Sequence, residues 1–510
     1  MQLRTPSAQW VPGLLAFAAA ALFAVVIGFF SGIGGGHYAA SLLLVVVVLG
    51  AVAWDCRIGA IALIVLLPLS ETHLIPREMF GVTGLSPLNL LLVGTVIGYF
   101  VSGSKAFRPN SARTMDSGIL WFFVLPVLLA GANGMQHVDE VLPVFHENGM
   151  VEFEGPWRYL TGEVVKPLFF VAYAWLVSVL IRDSEKPERY LWPLLISALL
   201  MALVTIGGIA LTGFSLAELA APRARETLAW LGMHNNDLGP MFVAGVAMFL
   251  HTAGPQKAAL RFWLLAAASV CALAAMLTFS RNAFLMLLIV LAGFFFGGKI
   301  GWRLSMGVVV LLLAALLLPR EFVSRATTGI GQGSVMNAND DALTAGRVSG
   351  IWIPVLRDAV QTPVFGAGIQ AMLWSASGFN EETGDAIGHP HNAYLRLFLE
   401  MGVVGLGLVL WFFWSLFSKA RKLGSDPRLS PQEQAMAQAA KWALIAMAVQ
   451  GLTGGAFTPL PSQVFVWCGI GFIYGLHARA NAPARAPEPA PNSARGSARG
   501  SASMAAGTGR

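Results

Sequence analysis

An all-α, multi-spanning membrane protein is the architecture that this sequence predicts, on three observations. Hydrophobic residues fill 56% of the 510 positions and charged residues only 12%, with a mean hydropathy of +0.66, too apolar and charge-poor for a water-soluble domain. Apolar stretches of about 17 to 25 residues recur along nearly the whole chain, each able to cross roughly 30 Å of hydrocarbon as a helix. The basic residues fall in alternate loops, the pattern that sets membrane orientation.

The first apolar stretch, about Val11 to Gly32, follows a short polar start with Arg4 and lacks a small-residue cleavage site, so it reads as an anchor. About fourteen spans are expected in all, centred near residues 21, 46, 64, 95, 125, 173, 201, 245, 270, 291, 310, 406, 447 and 470. Lys105, Arg108 and Arg113, then Arg182, Lys186 and Arg189, then Lys257 and Arg261, then Lys299 and Arg303, then Lys419, Arg421, Lys422 and Arg428 lie on one side. The positive-inside rule makes that side cytoplasmic, and an even span count puts both termini there. Residues 1–480 then form one membrane domain, while 481–510, biased to Ala, Pro, Ser, Gly and Arg, form a disordered cytoplasmic tail.

Three loops fall on the opposite side: Gly134 to Glu163, Ser215 to Asp237, and a large one over residues 319–393. Loops beyond about 12 to 15 residues are typically functional or disordered. The large one carries a helix-like piece, SGIWIPVLRDAV (Ser349 to Val360), ended by Pro363 and the glycine turn FGAG (Phe365 to Gly368), so it is expected to be ordered.

On this topology the outer face collects Arg223, Arg225, Arg281, Arg320, Arg325, Arg347, Arg357, His389 and His391, the wrong side for topology-setting arginines. Singly, each arginine is as well explained by a neighbouring acid such as Glu226, Glu321 or Asp358. As a set they point to a bound anion. Arg281, in TFSRNAF (Thr278 to Phe284), sits between two apolar runs with no room for a long loop. Its structural reading is snorkelling to the interface; its functional reading is a planar fork for phosphate oxygens.

His391 stands at a loop-to-helix junction, with Asn392 placed to cap the helix and His389 two residues earlier. Such a histidine is often interfacial packing, but it is also the side chain best suited to accept a proton near neutral pH. Glu400 is about two and a half turns deeper and roughly on the opposite face, so it reads as structural. Gly402, Gly405 and Gly407 read as close helix packing. MHNNDLGP (Met233 to Pro240) reads as an N-terminal cap followed by a first-turn proline, or, through His234, as a sugar or phosphate contact.

Other chemistries lack their signatures. There is no nucleotide P-loop, dinucleotide-binding glycine fingerprint, His-Glu-x-x-His or nucleophile elbow. Glu381, Glu382 and Asp385 form only a loose acidic run, and Cys56, Cys271 and Cys468 are far apart, so neither a metal nor a cofactor is expected. The net charge of +6 is scattered, which argues against a nucleic-acid partner. An activated lipid is the natural energy source.

His391, Asn392, nine residues, Gly402, two residues and Gly405 resemble the His-Asn-x9-Gly-x-x-Gly signature of the bacterial O-antigen ligase and polymerase superfamily. FSRNAF, TAGRVSGIW (Thr344 to Trp352) and TPVFGAGI (Thr362 to Ile369) are similar to further stretches of it, so the resemblance covers residues 278–407. Asn282 stands where that superfamily often has glycine, and the HNND stretch also departs from the usual pattern. The resemblance implies an inverting, metal-independent membrane glycosyltransferase of the C type in the bacterial inner membrane, with its active site on the periplasmic side. Its donor would be a glycan on undecaprenyl diphosphate. The acceptor would be lipid A core in a ligase or a second lipid-linked glycan in an exopolysaccharide or O-antigen polymerase. Carried over, His391 would activate the acceptor hydroxyl, Arg281 with Arg223 or Arg225 would hold the diphosphate, and Arg347 would add to that grip, with His389, Asn392 and His234 in support. A transporter or flippase for an anionic glycolipid is the competing class; it should place charges near mid-membrane on broken helices, whereas here they gather at one interface. A scaffold role would leave His391 and Arg281 unexplained.

Overall fold

The computed structural model describes residues 55–69, 86–106, 114–151, 153–220, 233–296, 347–380 and 385–482, with isolated positions at 50, 52, 72, 75 and 231. The principal helices are α1 (Cys56–Leu66), α2 (Pro87–Ala106), α3 (Leu125–Gly134), α4 (Lys166–Asp183), α5 (Leu191–Thr212), α6 (Asn235–Ala253), α7 (Ala258–Leu277), α8 (Arg281–Phe296), α9 (Ile353–Ala359), α10 (Ala393–Leu423), α11 (Pro431–Gln450) and α12 (Val464–Ala480). The β-structure among the described residues is one antiparallel pair, Phe379–Asn380 with Asp385–Ala386.

The expected centres at 64, 95, 125, 173, 201, 245, 270, 291, 406, 447 and 470 each fall on one of these helices. Those at 21, 46 and 310 lie outside the described residues, as do the tail from 483 and most of the large loop before Arg347. Among the described residues, five helical stretches are long and apolar enough to cross a membrane: Leu120–Glu140, Pro156–Asp183, Pro187–Thr212, Ala258–Leu277 and Ala393–Leu423. The chain is a membrane protein.

Helix α6 is the hub. It buries nearly every side chain from Leu238 to Ala253, as a helix apolar on all sides must, and α7, α8 and α11 pack around it. Helix α12 is enclosed in the same way and lies against α4 and α11. A Cβ added at Gly471 would stand 2.7 Å from the carbonyl oxygen of Ala174, so α12 and α4 meet backbone to backbone, the small-residue logic of membrane packing. Cys56, Cys271 and Cys468 are buried and unbridged, as packing residues would be.

The ends of the bundle differ in chemistry. At the C-terminal end of α10, Lys419 Nζ lies 2.7 Å from Asp116 Oδ2 and Arg479 Nε lies 2.8 Å from Glu433 Oε1, where Ser430 and Glu433 cap α11 reciprocally. The N-terminal end of α10, at the other end of its 31 residues and beyond a break at Gly402, carries the histidine pair.

Candidate active site

Helix α10 starts where the sequence places it. Asn392 is its cap, its Oδ1 accepting from Tyr394 N at 3.0 Å and Leu395 N at 3.1 Å. The preceding backbone is pinned on two sides: Trp352 Nε1 donates to Pro390 O at 2.9 Å, and Ala393 N donates to Gly451 O at 2.8 Å. Held between them, His391 takes φ 51°, a left-handed conformation that a non-glycine residue enters at a cost of order 1–3 kcal/mol. Its ring lies 4.0 Å from that of His389, centroid to centroid. Among the described residues the other non-glycine positive-φ positions are Phe279 (49°) and Gln370 (68°). Phe279 stands two residues before Arg281, and Gln370 shares a cavity wall with His391. Backbone strain thus gathers around the residues that the sequence singled out.

Three helix N-termini converge beside His391. Asn235, the first residue of α6, donates through Nδ2 to Thr278 O at 3.3 Å, tying α6 to the turn that starts α8. Asn282, in the first turn of α8, donates to Gln450 O at 3.4 Å, and the start of α10 bonds the next residue, Gly451. Arg347 reaches the same turn, its Nη1 donating to Thr453 O at 2.8 Å. Helix N-termini carry the positive end of the dipole, so their convergence with Arg281 and Arg347 suits an anion. The buried oxygens Asn235 Oδ1, Ser280 Oγ, Asn282 Oδ1 and Thr453 Oγ1 find no partner among the described residues. Such groups cost about 1–3 kcal/mol each when unmatched, so the convergence is also rich in polar capacity.

Burial, with nearby charges, sets the state of the histidines. Burial, then Arg347 and His234, push the His391 pKa down to about 4. Burial, then His391, Arg396, Arg347 and His234, push that of His389 down to about 3. The surface of His389 is exposed, while His391 is half-buried. At neutral pH both rings are uncharged, and His391 is able to accept a proton.

A cavity of about 680 Å³ opens beside the pair, lined by His389, His391, Arg396, Glu163, Gln370 and Phe153 among others. Arg396 Nε bonds Glu400 Oε1 at 2.8 Å, so Glu400 is a structural counter-charge, as its depth implied. Of the residues expected from sequence, the structure brings together His391, His389, Asn392, Arg347 and His234, with Arg281 heading the adjoining α8. Arg223 and Arg225 lie outside the described residues. His234 is itself the cap of α6, its Nδ1 accepting from Asn236 N at 3.1 Å, and Pro240 sits in the second turn of that helix instead of the expected first. Glu163, Gln370 and Arg396 were not anticipated; only the Arg396 and Glu400 spacing of four residues was legible as a helix pair.

Gly402, the first glycine of the signature, has a different role from the helix packing expected of it. Gly402 breaks α10 with φ 64° and ψ −172°, and the segment 362–368 fills the break. Val403 N donates to Pro363 O at 2.8 Å, Ala367 N to Leu399 O at 2.8 Å and Gly368 N to Glu400 O at 3.0 Å. A broken membrane helix needs its freed backbone groups satisfied by protein, and this loop supplies them. Gly407, by contrast, has nothing within 4 Å of the Cβ position, so it packs against no neighbour among the described residues. A Cβ at Gly402 would sit 2.3 Å from Val364 C and O. Gly402→Ala is therefore expected to destabilise the protein by more than about 2 kcal/mol through strain and clash together. Thermal unfolding in detergent checks this, and a transition within a degree of wild type would refute it.

A polytopic α-helical membrane protein with a neutral histidine pair set against arginines and converging helix N-termini is the class that fold and site define. Residues 264–410 match the family model for O-antigen ligase. That stretch contains Arg281, Arg347, His389, His391 and Asn392, and the superfamily resemblance of the sequence is borne out there. None of the curated proteins matches the chain.

Proposed function

We propose that this protein transfers a glycan from undecaprenyl diphosphate to an acceptor hydroxyl at the periplasmic face of the bacterial inner membrane, in surface polysaccharide biosynthesis. The observation that carries the reading is the neutral, strained His391 held beside three converging helix N-termini with Arg347 and Arg281. The acceptor O–H gives its proton to His391 as the oxygen bonds the anomeric carbon. The bond from that carbon to the diphosphate oxygen breaks on the opposite face, inverting the centre, and the diphosphate departs with the electron pair. Undecaprenyl diphosphate is a good leaving group, so the protein's task is one base and fixed positive charge where negative charge grows. Arg281 and Arg347, with Arg223 or Arg225, supply that charge. The outward placement is supported by the Lys- and Arg-rich end of α10 lying opposite the site, since basic ends stay cytoplasmic.

The acceptor follows the ligase pattern in this reading, lipid A core, with polymerisation on a second lipid-linked glycan as the alternative. The test is transfer by purified protein in nanodiscs, given an undecaprenyl-diphosphate glycan and either truncated lipopolysaccharide or excess donor. Glycan on lipid A core establishes the ligase and longer lipid-linked chains the polymerase. Transfer to neither by folded protein would overturn the glycosyltransferase reading in favour of glycolipid transport.

A further inference from the structure

The cavity beside His391 holds a second set of polar groups that neither proton transfer nor diphosphate binding uses. Glu163 projects from a π-helical turn, Leu160–Val165, that leads into α4. Such widened turns recur at functional sites. Its Oε2 accepts from Gln370 Nε2 at 2.6 Å. The Gln370 backbone N–H donates to Glu400 Oε1 at 2.8 Å, the oxygen that also takes Arg396 Nε. Gln370 holds this double contact at φ 68°, so the floor of the cavity is Glu163, Gln370 and Arg396, tied together through the buried Glu400. Its wall is apolar: Met150, Val151, Phe153, Ile351 and Leu373.

This floor is unlike the anion-binding side of the site. Its one guanidinium, Arg396, is already bonded to Glu400, so the floor has little to offer a diphosphate. A carboxylate suits a ligand with several hydroxyl donors and no charge of its own, and an aromatic and aliphatic wall suits the C–H faces of a sugar ring. The volume, about 680 Å³, falls within the roughly 300–1,000 Å³ of small-ligand pockets. His391 borders the same space, so a sugar bound there has a hydroxyl beside the proton acceptor.

We propose that this cavity is the acceptor subsite: it binds a terminal uncharged sugar of the acceptor glycan, with Glu163, positioned by Gln370, accepting hydrogen bonds from that sugar's hydroxyls. The inference rests on the glycan-transfer reading and adds the acceptor's chemistry and the residue that recognises it.

The test uses full-length protein in nanodiscs at saturating undecaprenyl-diphosphate glycan, titrating whichever acceptor the wild type uses, truncated lipopolysaccharide or lipid-linked glycan. Glu163→Gln keeps the shape and the bond from Gln370 but removes the charge. The expected result is an acceptor KM raised about tenfold, with donor KM unchanged and kcat within about threefold. Met150→Trp, which narrows the cavity without touching the polar chain, raises acceptor KM in the same selective way. Failure of either variant to raise acceptor KM, or an equal rise for donor, overturns the subsite while leaving glycan transfer standing. Wild-type protein that transfers to neither acceptor overturns the transfer reading, and this inference falls with it.

Discussion

Replacing His391 is expected to lower glycan transfer by about 10²- to 10⁴-fold, the usual contribution of a positioned acid or base, with donor affinity preserved. The choice of replacement separates chemistry from strain. His391 sits at φ 51°, which asparagine tolerates better than alanine and glycine adopts freely. If the ring's role were only to shape the loop, His391→Gly would relieve strain and retain activity. On the reading argued above, His391→Asn, His391→Ala and His391→Gly all lose transfer, while the glycine variant unfolds at the same temperature as wild type or higher. Activity retained in the glycine variant would remove His391 from the chemistry.

The electrostatics add a pH signature to the same prediction. Burial, Arg347 and His234 hold the free-enzyme pKa of His391 near about 4, so kcat/KM for the donor should keep its value down to mildly acidic pH and fall as the ring protonates. A bound diphosphate brings negative charge, which favours the imidazolium and raises that pKa. The acid limb of kcat should therefore lie at higher pH than that of kcat/KM, since the first reports the complex and the second the free enzyme. Arg347→Gln removes one of the cations that hold the pKa down and should move the kcat/KM limb upward. Coincident limbs in wild type would mean that the diphosphate does not sit close to His391.

How much of this was legible in the sequence depends on how far apart the interacting residues are. The long apolar stretches placed a helix at every expected centre that falls among the described residues, and the polar Asn392 before an apolar run marked the start of α10. The helix-like piece from Ser349 to Val360 and its glycine turn were also visible, because capping and turn preferences act over a few residues. What stayed hidden are contacts between remote segments. Glu163 and Gln370 are 207 residues apart, and nothing local to either announces the pair. Gly402 was read as packing because a glycine in an apolar helix looks the same whether it admits a neighbour or breaks the backbone; only the bonds from Val403 to Pro363 and from Ala367 to Leu399 tell the cases apart. The superfamily spacing carried the site further than physics alone, since nine residues between Asn392 and Gly402 is the length of helix between the proton acceptor and the break.

Arg281→Ala is expected to cost about 10²- to 10³-fold in transfer, the scale of losing one preorganised charge at a developing anion. Arg281 heads α8, an N-terminus whose dipole is already positive. A guanidinium and the positive end of a helix repel each other, and an anion placed between them relieves both, so the arrangement favours the diphosphate more than either element would alone. Lysine keeps the charge but loses the planar fork, and Arg281→Lys should recover only part of the loss. Inorganic pyrophosphate offers a readout that does not depend on knowing the sugar. It should inhibit wild-type transfer competitively with donor, with the inhibition constant weakened about tenfold or more in Arg281→Ala as a charge-assisted contact is lost. The acceptor KM should stay where it was, because the acceptor cavity is lined by Glu163, Gln370 and Arg396 and not by Arg281. A variant that changed acceptor KM while pyrophosphate inhibited as before would put Arg281 on the other side of the reaction, and the diphosphate would have to be held by the arginines before α6 instead.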